Sequence, residues 1–287
     1  MMFLEGNLNG VQHLGIPVCD YKKVIPWYVE KLAFELVHEP RIPTPDGEIK
    51  IAFLKKGDMV LEFYQLVGDA LEEIRSRGHG HIDHFAFDVL DIDRALQVAT
   101  TNGISLEKST PEGPLEIPFF WSKGVKYVFL EGPEGEKIEF NQRMDLEPGR
   151  RADNLNGWSH LGIPVTDLNL SRDFYQKFGF KEAMYAEIPV DGEVIRASMM
   201  EFNGFVLEFY QLLGPELEEV SSRSDGHIDH IAFDVSDCGQ AFAELKGEGL
   251  EILEEEPVSL PFWENGIKYF NIRGPDGEKL EFNQIIK

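Results

Sequence analysis

The stretch HLGIPV at residues 13–18 returns unchanged at 160–165, and its recurrence decides how the rest of the chain is read. Around it, LEFYQL at 61–66 recurs at 207–212, and IDH-x-AFDV at 82–89 recurs at 228–235. GEKIEFNQ at 135–142 is echoed by GEKLEFNQ at 277–284. A long internal repeat outranks any local assignment of helices and strands, because overlooking it misassigns the whole fold. The second half duplicates the first with few insertions. The expected division is a first domain over 1–143, a polar linker punctuated by Pro and Gly over 144–157, and a second domain over 158–287.

A fainter repeat lies within each half: H-LGIPV-x-D at 13–20 has the layout of H-FAFDV-x-D at 84–91. Four modules result. In each, a strand that opens with His runs into an Asp suited to cap the helix that follows. The helices are YKKVIPWYVEKLAF, IDRALQVATTNGI, LNLSRDFYQKFGF and CGQAFAELKGEGL. Pro26 predicts a short or kinked first helix. Apolar runs separated by charged turns follow each helix, so the unit reads as βαβββ and the fold class as α+β.

Strand alternation assigns faces. Leu14, Ile16 and Val18 form an apolar side for the helix, and His13, Gly15 and Pro17 form the other. Phe85, Phe87 and Val89 repeat the apolar side, leaving His84, Ala86 and Asp88 opposite. The residue two beyond each histidine is Gly15, Ala86, Gly162 or Ala232, small enough to leave room for a ligand on a concave face. In the closing strands Glu62 and Glu139 take the histidine side. A carboxylate between large apolar neighbours is costly to bury unless positive charge meets it, and a metal ion meets it well. Imidazole and carboxylate donors suit zinc, nickel, cobalt, manganese or iron. His38, His79, His81 and His227 fit this pattern poorly and are set aside.

Composition narrows the function classes. Against 51 Asp and Glu stand 27 Lys and Arg, a net charge of −24 that repels nucleic-acid backbones and anionic lipid. No apolar run approaches a bilayer's thickness, and MMFLEGNLNG lacks the layout of a secretory signal, so a cytoplasmic protein with no membrane or nucleic-acid partner is expected. Cys19 and Cys238 form no metal or redox motif.

These residues together resemble the vicinal oxygen chelate superfamily, which includes glyoxalase I, methylmalonyl-CoA epimerase, extradiol dioxygenases and antibiotic-resistance proteins. The likeness covers nearly the whole chain. It rests on the opening His strands, FYQKFGF at 174–180, the VLEF strand and GPDGEKLEF at 274–282. The resemblance implies paired modules forming two cupped, half-open barrels, each around a divalent ion, up to two per chain. It implies His13, Glu62, His84 and Glu139 as ligands in the first half, and His160, Glu208, His230 and Glu281 in the second. It further implies an isomerase, epimerase or lyase acting on a small molecule with vicinal oxygens through a metal-stabilised enediolate. Glu139 and Glu281 are the first candidates for catalytic base, with Glu62 and Glu208 as alternatives. An iron-dependent ring-cleaving dioxygenase and a non-catalytic antibiotic-binding protein are the competing readings.

Two further expectations concern packing. The segments PLEIPFFWSKGVKY at 114–127 and LPFWENGIKY at 260–269 either line a substrate mouth, with Lys126 and Lys268 meeting an anion, or form packed loops. Modules can combine within a half or exchange between halves; the connectors GDALEEIRSRGHGHID and GPELEEVSSRSDGHID resemble the short helical links of the epimerases, whose sites form inside one subunit, and that resemblance implies pairing within halves. Either a monomer or a homodimer is compatible.

Overall fold

The computed structural model describes residues 2–146 and 155–287. Residues 147–154 of the expected linker lie outside the described residues. The first module comprises β1 (Leu8–Pro17), α1 (Tyr21–Leu32), β2 (Glu35–His38), β3 (Arg41–Thr44), β4 (Gly47–Lys56) and β5 (Met59–Gln65), and a connector helix α2 (Asp69–Arg75) follows. The second holds β6 (His84–Val89), α3 (Ile92–Thr101), β7 (Leu115–Ile117), β8 (Val125–Glu131) and β9 (Lys137–Arg143). The third holds β10 (Leu155–Pro164), α4 (Leu168–Lys177), β11 (Lys181–Val190), β12 (Glu193–Phe202) and β13 (Phe205–Gln211), with connector helix α5 (Gly214–Ser221). The fourth holds β14 (His230–Val235), α6 (Cys238–Gly247), β15 (Val258–Leu260), β16 (Ile267–Arg273) and β17 (Lys279–Ile285). This is the α+β fold of four βαβββ units, with one extra short strand in the first.

Each module helix begins where its Asp stands. The carboxylates of Asp20, Asp91, Asp167 and Asp237 accept from backbone N–H groups of the first turn, satisfying donors that the helix leaves free. Pro26 does not shorten α1, which runs for 12 residues. It falls on the exposed face, and Lys22, whose carbonyl loses its usual partner, is exposed as well, so the missing bond costs less than it would in a packed position.

The sheets overturn the expected pairing within halves. One sheet runs β15-β16-β17-β14-β1-β5-β4-β2, with β3 on β4, and the other runs β11-β12-β13-β10-β6-β9-β8-β7. The first module is therefore completed by the fourth, and the third by the second. At the centre of each sheet two His strands lie antiparallel, β1 beside β14 and β10 beside β6. Each is flanked by its parallel closing strand.

The physical cause lies in the connectors, which cross. The His81 N–H donates to Ser224 O at 3.2 Å, the His227 N–H donates to Gly78 O at 3.0 Å, and Ile82 bridges to Ile228. A Cβ on Gly80 would stand 2.2 Å from the Gly226 nitrogen, so the crossing needs residues without side chains. Each half thus passes from one sheet to the other.

Modules of one half meet through a shared core instead. Leu14, Leu61 and Phe63 of one sheet and Phe85, Phe87 and Phe209 of the other join a single buried cluster with helix residues such as Tyr28 and Tyr175. Phe34 packs edge-on to Phe87, and Phe178 stacks on Phe282. Core and helices occupy the apolar sheet faces, which leaves the histidine faces for the sites. Among the described residues no helix is long and apolar enough to cross a membrane.

Candidate functional site

Register brings the eight predicted residues together in two sets of four. Gly15 pairs with Glu62 on β5 and with His230 on β14, while His13 pairs with Ala232, itself opposite Glu281 on β17. One row across the sheet reads Glu62, Gly15, His230; the next reads His13, Ala232, Glu281. Rows two residues apart share a face, so four polar side chains converge. The other sheet repeats this with Glu208, Gly162, His84 and then His160, Ala86, Glu139.

The glycines correct one expectation. A Cβ on Gly15 would meet the His230 ring at 1.9 Å, and one on Gly162 would meet the His84 ring at 2.0 Å. The room beside these positions is filled by the imidazole of the neighbouring strand, not kept for a ligand.

In the first set His13 Nε2 lies 3.3 Å from Glu62 and 3.7 Å from Glu281, and His230 Nε2 lies 3.6 and 3.8 Å from the same carboxylates. The two Nε2 atoms are 3.4 Å apart. In the second set His84 Nε2 stands 3.2 Å from Glu139 and 3.5 Å from Glu208, His160 Nε2 stands 3.6 and 3.1 Å from them, and the nitrogens are 3.2 Å apart. Donors bonded to one divalent ion at about 2.0 to 2.2 Å stand about 3 to 3.5 Å from each other. The convergence of two imidazoles and two carboxylates near that spacing fits such an ion. The three donors His13, Glu62 and His230, and likewise His84, Glu139 and His160, have ligand atoms within 4.8 Å of one another.

Partners outside each set fix the rings. His84 Nδ1 is 3.1 Å from Asp83, whose carboxylate also accepts from Lys137 Nζ at 2.9 Å and Arg223 at 3.0 Å. His230 Nδ1 is 3.1 Å from Asp229, which accepts from Lys279 Nζ and Arg77, both at 2.7 Å. A carboxylate acceptor on Nδ1 holds a proton there and turns Nε2 toward the centre. His13 Nδ1 meets Gln12 Oε1 and His160 Nδ1 meets Ser159 Oγ, both at 3.1 Å. Asn141 and Asn283 donate to Glu139 and Glu281 at 2.7 and 2.8 Å.

Buried charge sets the protonation. Burial alone would lower His84, but Asp83, Glu139 and Glu208 more than reverse it and hold the imidazole well above its ordinary value. Against burial, His160 is raised to about 9 by Glu139 and Glu208, and His230 to about 10 by Asp229 behind its ring with Glu62 and Glu281 in front. Burial opposes ionisation of Glu62 and Glu139, yet the histidines hold Glu62 down to about 2 and Glu139 low as well. The sets are built to hold positive charge among carboxylates.

Each set borders a cavity. The first, about 270 Å³, is lined by Glu62, His230, Glu281, Phe262, Ile267 and Asn271 among others; the second, about 480 Å³, by His84, Glu139, Glu208, Phe120, Val125 and Phe129. Of the two readings of the aromatic segments the structure shows features of both: Phe120 and Phe262 line these cavities and are themselves buried in small apolar clusters. Their lysines do not enter: Lys126 pairs with Glu116 at 3.2 Å and Lys268 is exposed. The lysines that line the cavities are Lys137 and Lys279. They, like Asp83, Asp229 and the connector arginines, were missed by sequence reading. The HID-H and GEK repeats carried the signal, but only the register shows that they touch.

The histidines set aside stay outside both sets. His38 stacks on Trp263 with ring centres 4.2 Å apart, His79 and His227 meet at 6.0 Å, and His81 lies against Gly277.

The sequence profile of the Glyoxalase/Bleomycin resistance protein/Dioxygenase superfamily matches residues 10–140 and again 157–282. The chain belongs to this superfamily. The uncharacterized protein YwbC of Bacillus subtilis (strain 168) is 31% identical over 126 residues, 44% of this chain and 94% of its own length. Maize glyoxalase I (Zea mays) shares the fold across 98% of this chain and 94% of its own, with a TM-score of 0.72 and 20% identity. A crystallised putative dioxygenase from Bacillus subtilis does so over 97% and 86%, with a TM-score of 0.65 and 12% identity. At such identities these two likenesses concern the superfamily's architecture alone.

Proposed function

We propose that this chain is a divalent-metal-dependent isomerase, epimerase or lyase acting on a small molecule with two adjacent oxygens. The observation that carries the reading is the convergence of two His and two Glu beside each cavity, with Nε2 atoms 3.4 and 3.2 Å apart. His13, Glu62, His230 and Glu281 would hold one ion, and His84, Glu139, His160 and Glu208 a second. When bound, the ion supplies a Lewis acid that polarises a carbonyl and acidifies the neighbouring carbon.

The chain's own residues supply the rest. Asp83 and Asp229 orient their histidines. Asn141 and Asn283 each donate to one carboxylate oxygen of Glu139 and Glu281, which steadies these carboxylates at the cavity wall. Glu139 and Glu281 are therefore the first candidates to take the proton from the ligand carbon and return it. Glu62 and Glu208, with no such amide partner among the described residues, are the alternatives. Phe120 and Phe262 give the two cavities an apolar wall beside these polar groups.

The test is solvent exchange at the carbon of hydroxyacetone in deuterated buffer, followed by NMR with cobalt-loaded protein. The double variant Glu139→Gln/Glu281→Gln should lose exchange by at least a hundredfold, within the usual weight of a positioned base. Undiminished exchange would remove the assignment. Four protein donors per ion favour this chemistry over the three-donor iron triad of ring cleavage. Oxygen consumption on catechol by iron-loaded protein would reverse that preference.

A further inference from the structure

The two cavities differ at several aligned positions, chiefly Ile51 against Ala197, opposite Tyr64 and Tyr210, and Asn271 against Phe129. Phe129 on β8 lies opposite Glu139, and Asn271 on β16 lies opposite Glu281. Phe129 packs edge-on to His84 with ring centres 5.0 Å apart, giving the larger cavity an apolar wall. Asn271 is 8% exposed, and its Nδ2 and backbone N–H donate to Glu254 at 2.8 and 2.7 Å. Glu254 can only accept, so the amide is locked with Oδ1 left over. That oxygen has no partner, and neither has Oδ1 of Asn283, 3% exposed, on the same cavity's wall. Among the described residues no side chain lining the larger cavity carries such an orphan.

A buried acceptor without a donor is costly, and a ligand that brings one recovers the loss. We infer that the two sites take different ligands: the His13–His230 cavity a small molecule bearing a hydroxyl or amide donor, the His84–His160 cavity a larger one with an apolar substituent. This rests on the reading that both sites hold an ion chelated by two ligand oxygens. Size and polarity both differ: the cavity of about 270 Å³ carries Ile51 and an amide where the cavity of about 480 Å³ carries the smaller Ala197 and a phenyl ring. One chain thereby offers two specificities on one chemistry.

The test uses two hydroxamates, which chelate through adjacent oxygens: glycolohydroxamate, small and hydroxylated, and benzohydroxamate, larger and aromatic. Cobalt stoichiometry is measured first by mass spectrometry, then each probe is titrated calorimetrically into wild type, His13→Ala and His84→Ala. Glycolohydroxamate should lose its tight site in His13→Ala, and benzohydroxamate in His84→Ala. Asn271→Leu should weaken only glycolohydroxamate, by about tenfold, and Phe129→Asn only benzohydroxamate. Two ions per chain with equal affinity of both probes for both cavities would overturn the specificity inference alone. Failure to bind two ions would overturn the metal reading and this one with it.

Discussion

Gly162→Ala is the substitution whose consequence the structure fixes most narrowly. The added methyl would sit 2.0 Å from the His84 ring, whereas ordinary contact begins near 3.4 Å. Ring or strand must therefore give way by about 1.4 Å. The ring has little freedom, being held through Nδ1 by Asp83 at 3.1 Å and flanked by Phe129 at 5.0 Å. Overpacking of this kind costs about 1 to 3 kcal/mol of stability. Disturbing the orientation of a ligating imidazole should cost about 10- to 100-fold in metal affinity at that site. Cobalt titration followed by calorimetry, with urea unfolding of the metal-free protein alongside, measures both quantities. Affinity at the His13–His230 site should be unchanged, and Gly15→Ala should give the mirror result. Wild-type affinity at both sites in Gly162→Ala would refute the claim that the glycine exists to seat the imidazole.

Other outcomes follow from charge and packing. Glu278, buried against Tyr175 with O–H to carboxylate 2.8 Å, is pushed by burial from an ordinary 4.5 up to about 7. The folded chain keeps a proton that the unfolded chain has released, so stability contributed below pH 4.5 is lost progressively up to pH 7. The loss is about 3 kcal/mol in total, and Glu278→Gln should flatten this slope in urea titrations between pH 5 and 8. Asp229→Ala leaves Arg77 and Lys279 without their shared buried acceptor. Its urea midpoint should fall by an amount equivalent to about 3 kcal/mol. Supplying an ion at a hundredfold its dissociation constant should add about 2.7 kcal/mol per site, read as a rise in thermal midpoint that a chelator reverses.

Much of this architecture was legible in the sequence, for identifiable reasons. The duplicated HLGIPV and LEFYQL strings gave the modules, the capping aspartates gave the helix starts, and period-two alternation put His13 and Glu62 on one face. What alternation cannot supply is the identity of the neighbouring strand. β6 and β14 present nearly the same HxAFDV edge to β1, and both carry a small residue two places after the histidine. Local pairing energy does not distinguish them. The choice is made outside the paired strands, in the connectors, where Gly80 and Gly226 let the chain cross. The Asn271 for Phe129 difference was equally hidden, because each reads as an ordinary position of a closing hairpin until the cavity wall is seen.

The crossed sheets also bear on how the chain is made. As residues 1–143 leave the ribosome, β1 and β6 each have one edge satisfied by their own module and one edge bare. The strands that will cover them, β14 and β10, have yet to be synthesised. Bare central edges invite pairing with other chains, and contacts that span some 220 residues close slowly. Production of this protein should therefore be limited by the time between the two halves emerging. Separately expressed halves should remain aggregation-prone until mixed, each acting as the other's template.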